Sequence, residues 1–108
     1  MKSFEDIAAE FHISALHAEE LASELQQLQQ QFDLEQLQAL YPKFENIVNS
    51  FGISDEQIEY FVEMLYADPQ FSRLVTFLVP SFYHIGGDRM MFETIYEQMM
   101  SDLEAELD

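Results

Sequence analysis

Apolar residues return every three or four positions along almost the whole chain, and no stretch shows the strict alternation of a half-buried strand. The pattern predicts an all-α protein, a compact bundle of five to six helices with short connections. Ser3 followed by Asp6 has the form of a capping box, and Phe4, Ile7 and Phe11 mark the inner face of a first short helix. A second helix from Ala18 presents Leu21, Leu25, Leu28 and Phe32, spacing suited to a helical partner. Asp33 with Gln36 predicts a new cap and a helix holding Leu34, Leu37 and Leu40 inside. Pro42 must kink or restart that helix because it has no amide proton, and the segment then runs through Phe44, Ile47, Val48 and Phe51 to Gly52. Ser54 with Gln57 opens a helix with Ile58, Phe61, Val62 and Leu65 on one face. Pro69 is expected at the first position of the next helix and Pro80 at its end. "SFYHIGGD" reads as a loop, with Asp88 capping a last helix from Arg89 that holds Phe92, Ile95, Met99 and Leu103 inside.

One pattern occurs twice. "FEDIAAEFHIS" at 4–14 returns as "FENIVNSFGIS" at 44–54, with Phe, Glu, Ile, Phe, Ile and Ser coinciding. Two related helical hairpins, about residues 4–31 and 44–67, are therefore expected. Duplication of one hairpin and independent use of a generic helix, turn and capped helix both produce such a match.

The first copy, "FEDIAAEFHISALHAEEL", resembles a DNA-reading helix-turn-helix, with His12-Ile13-Ser14 at the turn. That resemblance implies a second helix in the major groove, and such a helix needs cations or amide donors for phosphate. Here it carries Glu19, Glu20 and Glu24; in the second copy it carries Asp55, Glu56, Glu59 and Glu63. The geometry fits and the chemistry does not. "FGISDEQIEYFVEMLYADPQFSRLVTFLV" is similar in layout to a ubiquitin-associated domain over about a third of the chain, a likeness from which no function is carried over.

Charge narrows the function further. Twenty-one carboxylates face four basic residues, Lys2, Lys43, Arg73 and Arg89, for a formal charge of −17 on 108 residues. That balance excludes direct nucleic-acid binding as a main activity and disfavours anionic membranes. At 48% hydrophobic residues the chain holds enough apolar material for a core and is not a disordered acidic tail. Without cysteine it has no disulfide or thiolate site. "MKSFEDIAAEF" puts acids where a signal peptide has basic and apolar regions, and the most apolar run, Phe71 to Val79, is too short to span a bilayer, so a soluble cytoplasmic protein is expected.

No nucleophile motif, phosphate-binding loop or EF-hand spacing is present, and His12 and His17 sit on different sides of a helix, so neither an enzyme nor a metal or cofactor site is expected. The acids are unevenly spread: residues 69–87 hold none, whereas in the last helix Glu93, Glu97, Glu104 and Asp108 (the last outside the residues the structure describes) fall near one stripe, flanked by Asp102 and Glu106. Like charges at i,i+4 and acids near a helix C-terminus oppose stability, so stability alone does not select them. Carboxylates at helical spacing recur every ~5 Å along a face, and two or three such helices side by side approach the charge density of duplex DNA, about one per 1.7 Å.

The expected activity is that of a small acidic inhibitor that mimics nucleic acid and blocks a basic protein, a nucleic-acid-binding protein or a nuclease. Phage-encoded inhibitors of bacterial defence, anti-CRISPR proteins among them, and nuclease-immunity proteins share this physical profile. The expected contact residues are Glu19, Glu20, Glu24, Asp55, Glu56, Glu59, Glu63, Glu93, Glu97, Asp102 and Glu104. The alternative is an assembly chaperone or adaptor that self-associates as a homodimer through the 18–32 helix. In "PQFSRLVTFLVPSFYHIGG", a central buried helix competes with a docking patch anchored by Phe82, Tyr83 and Ile85 beside a Gly86-Gly87 hinge.

Overall fold

The structure, a computed structural model, describes residues 2–107. Among them are six α-helices and no strand: α1 (Phe4–Ala9), α2 (Ala15–Gln31), α3 (Leu40–Ser50), α4 (Asp55–Ala67), α5 (Ser72–His84) and α6 (Glu93–Leu107). The all-α bundle anticipated from the hydrophobic spacing is what the chain forms.

The two similar sequence segments build the same turn. At the end of α1, Ile13 N–H donates to Ala8 O (3.1 Å) and His12 N–H to Ala9 O (3.1 Å). At the end of α3, Ile53 N–H donates to Val48 O (3.0 Å) and Gly52 N–H to Asn49 O (3.0 Å). This paired bonding is a Schellman motif, which needs a left-handed residue just past the helix. Gly52 supplies it at φ 93° and His12 at φ 62°, the latter the single non-glycine with positive φ among the described residues. In both copies the following Ile is buried and the following Ser stands at the N-cap of the next helix. Ser14 Oγ accepts from His17 N–H (3.3 Å), while Gln57 Oε1 reaches back to Ser54 N–H (2.9 Å). The caps are chemically different solutions on one backbone plan.

Several boundaries differ from the pattern-based reading, each for a local reason. The Ser14 cap starts α2 at Ala15 rather than Ala18. Residues Leu34–Ala39 form a 3-10 turn, broken at Gln36 (φ −120°, ψ 43°), so Leu34 is exposed instead of inside. Pro42 then falls in the first turn of α3, where its missing proton costs nothing. Pro69 lies in a turn before α5, where Asp68 Oδ1 accepts from Gln70 N–H (2.9 Å). Pro80 does not end α5: the helix continues to His84. The carbonyl deprived of its donor belongs to Thr76, which is exposed. Beside Pro80, the buried Ser81 hydroxyl donates to Leu37 O (2.6 Å) and accepts from Tyr41 N–H (2.9 Å), tying α5 to the start of α3. Asp88 caps a turn, accepting from Met90 N–H (2.9 Å), and α6 begins at Glu93.

Gly86 and Gly87, read from the sequence as a hinge, form a hydrogen-bonded helix end. They close α5 with the same paired bonds, Gly87 N–H to Phe82 O (2.9 Å) and Gly86 N–H to Tyr83 O (3.1 Å). A Cβ on Gly87 would lie 2.5 Å from the Phe82 ring, so that backbone presses directly on the aromatic core. Phe82, half-buried, packs inward on Tyr41 (4.7 Å between centroids) and Phe92 (5.0 Å).

Aromatic rings thread the core from end to end. Phe4 and Phe11 of the N-terminal hairpin meet Phe61 of α4, which stacks on Phe44 of α3 at 6.3 Å. Phe44 leads to Tyr41, and Tyr41 to Phe82 and Phe92. Offset and edge-on pairs at these separations add about 0.5–1.5 kcal/mol each beyond simple burial. Leu74, Val75, Leu78 and Val79 make α5 the central element, buried against α3, α4 and the 3-10 turn.

Candidate functional site

Every acidic side chain among the described residues reaches solvent, only Glu45, Glu59 and Asp68 being half-buried. The acids gain almost nothing from internal pairing. Among the described residues the one salt bridge joins Lys2 Nζ to Glu10 Oε2 (2.8 Å), whose hydrogen bond raises the Lys2 pKa. Arg73 lies over the Phe77 ring and Arg89 over Tyr83, at 5.6 and 5.7 Å from the centroids.

The nominated carboxylates fall into rows helix by helix. Glu20 and Glu24 line a groove with His17 and the C-terminal end of α3, Ser50 to Gly52; Glu19 is exposed on the same helix. Glu24 also borders the neighbouring α2–α3 groove that holds Lys43. On α4, Glu56, Glu59 and Glu63 follow one stripe by their spacing, with Glu59 half-buried. Glu93 and Glu97 line a groove of about 500 Å³ with Tyr83, Arg89, Met90 and Tyr96. Asp102 turns away from them into a separate groove with Tyr66, Pro69 and Glu106. None of these grooves takes acids from more than one helix.

Two of the nominated residues have structural duties. Asp55 Oδ1 accepts from Asn49 Nδ2 (3.1 Å), which also donates to Ile53 O (2.8 Å) and so braces the α3–α4 turn. Asp102 accepts from Tyr66 Oη and from Gln98 Nε2 (2.9 Å), fastening α6 to the end of α4. The Tyr66 hydrogen bond, and then that of Gln98, hold the Asp102 carboxyl below its usual range. Burial and the bond to Asp102 push the Tyr66 phenol up to about 12. Glu45, which spacing did not single out, has its carboxyl raised by partial burial and then by the nearby Asp55 charge.

The α6 helix departs most from its expected role. Ile95 is its one buried residue, and Leu103, expected inside, is 47% exposed. With 100° per residue, Ile95, Met99 and Asp102 face the bundle. Tyr96, Met100, Leu103 and Leu107 form a second row about 90° further round, exposed at 43, 40, 47 and 78%. The signal was present in the sequence: apolar residues cover about 140° of this helix, wider than one packed face uses. Of the proposed patch near Gly86, Ile85 is exposed, and Tyr83 is half-buried with its hydroxyl on Arg89 O (3.1 Å).

Among the described residues no three His, Asp or Glu side chains converge to hold a metal ion, and no helix is long and apolar enough to cross a membrane. No protein-family model matches the chain, and no match is found among curated proteins or among solved structures.

Proposed function

We propose that this protein is a small acidic helical inhibitor that binds and blocks a basic protein, one whose own ligand is nucleic acid. The observation that carries this reading is the contrast between the interior and the surface. The interior is continuous and aromatic, while the carboxylates lie outside it and a single salt bridge relieves them among the described residues. Such a surface pays its self-repulsion in every free molecule and recovers it when a cationic partner arrives. The grooves lined by α2 and α6 carboxylates each take acids from one helix, so the contact is made by one or two helical ridges rather than by a single merged one. Glu56, Glu59 and Glu63 form a regular ridge along α4, of which Glu56 lies in the first turn, where an acid also suits the helix dipole.

The test is capture from a lysate of the cells that make the protein, with low-salt and then high-salt washes, followed by competition with duplex DNA. The expected result is a basic protein that high salt releases and that binds either duplex DNA or this chain, but not both. Capture that resists salt, or a partner that binds DNA and this chain together, overturns the proposal.

A further inference from the structure

The exposed row on α6 fits a definite kind of partner segment. Tyr96, Met100, Leu103 and Leu107 are spaced by four, three and four residues, the spacing of a coiled-coil seam. The row extends for about three turns, roughly 16 Å, and no other helix of the bundle covers it. At its N-terminal end it runs into the groove walled by Tyr83, Met90 and Tyr96. Tyr96 belongs to both and is held edge-on to Tyr83 at 6.0 Å. Met90, on the rim, is 75% exposed. An apolar seam that ends in a pocket is the shape that receives one amphipathic helix with a bulky apolar residue at its end.

Charge decides which helix. The far edge of the seam is lined by Glu93, Glu97 and Glu104, about 70° round from the apolar row, and α6 contains no Lys, Arg or His. A second copy of this chain docked seam to seam would set these acids against each other, at positions where coiled coils place opposite charges. An anionic lipid surface meets the same repulsion. We infer that the α6 seam and its end groove form a docking strip for a cationic amphipathic helix of another protein. The inference rests on the proposed reading that the partner is basic, and adds an apolar docking surface on α6 beside the carboxylate ridges and the form of the segment bound there.

The probe is a helix-forming peptide with Leu at the seam positions and Lys elsewhere, compared with a scrambled peptide of the same composition. Fluorescence anisotropy measures both against the parent chain and against the triple variant Met100→Gln, Leu103→Gln, Leu107→Gln. The variant keeps the charge and alters only exposed positions, and an unchanged circular dichroism spectrum and melting curve verify its fold. The expected result is tighter binding of the amphipathic peptide than of the scrambled one, weakened at least about tenfold in the variant, with the scrambled peptide unaffected. Equal binding of the two peptides, or equal binding by variant and parent, overturns the inference. So does a parent dimer, or parent binding to phosphatidylcholine vesicles, that disappears in the variant. A peptide result of either kind is independent of the lysate capture, so failure of the strip and failure of the proposed function are read separately.

Discussion

The helices α5 and α6 look alike in the sequence and behave oppositely in the fold. Both carry apolar residues over a wide arc, Phe71 to Val79 in one region and Phe92 to Leu103 in the other. The α5 helix spends that arc on the core, with Leu74, Val75, Leu78, Val79 and Ser81 buried and no acid anywhere along it. The α6 helix buries Ile95, fastens itself through Asp102 to Tyr66, and leaves a complete apolar row in solvent beside its carboxylates. Width of an apolar arc therefore reports how much surface seeks a partner, not whether the partner lies within the same bundle.

The largest effects should separate these two helices. Leu78→Ala removes a fully packed side chain and should cost about 2–5 kcal/mol in chemical denaturation. Leu103→Ala on α6 should stay within about 0.5 kcal/mol. Equal losses would mean that α6 is packed as α5 is. An intermediate effect is expected at the two equivalent turns. Gly52→Ala meets no atom within 4 Å, so its cost is the left-handed backbone alone, about 1–2 kcal/mol. His12→Gly should be neutral or slightly stabilising, because it relieves that backbone while adding unfolded-state entropy. A destabilised His12→Gly protein would show that the imidazole makes a contact worth more than the strain.

The smallest effect concerns the Tyr66–Asp102 tie. Asp102 is held below its usual carboxylate range, so its contribution is present above the unfolded value and is lost as pH falls through the folded one. Tyr66 is shifted the other way, so its contribution is full below the unfolded value of 10.0 and is lost as pH rises towards about 12. The protection of α6 amides, relative to their intrinsic exchange rate at each pH, should fall at both extremes, and Tyr66→Phe should lower it at neutral pH as well. Protection of α6 that is unchanged by both pH and the substitution would remove the tie from the account.

Much of the architecture could be read from the chain because capping chemistry and helical spacing are local. Ser3, Ser14 and Ser54 each mark a helix start, and the Ile13 and Ile53 turns share one pattern and one geometry. The errors arose where distant contacts decide the local outcome. Pro80 stays within α5 because Ser81 bonds Leu37 and Tyr41, about 40 residues away in the chain. Phe82 is half-buried because Tyr41 and Phe92 pack on its ring. Spacing also assigns each carboxylate to a row on its helix, but the direction in which each row faces depends on how the helices pack. For that reason spacing sets Asp102 beside the stripe of Glu93 and Glu97, and only the packing shows that it serves the opposite side of α6.

The central claim is that the carboxylate ridges meet a cationic protein, and the rate at which the captured partner associates tests it most directly. That rate should be measured by stopped flow from low to physiological salt, for the parent and for the triple reversal Glu56→Lys, Glu59→Lys, Glu63→Lys. The account predicts that salt slows the parent steeply, and that the reversal slows association about tenfold or more at low salt, with a shallower salt dependence than the parent's. A parent rate indifferent to salt and equal to that of the reversed protein would contradict it.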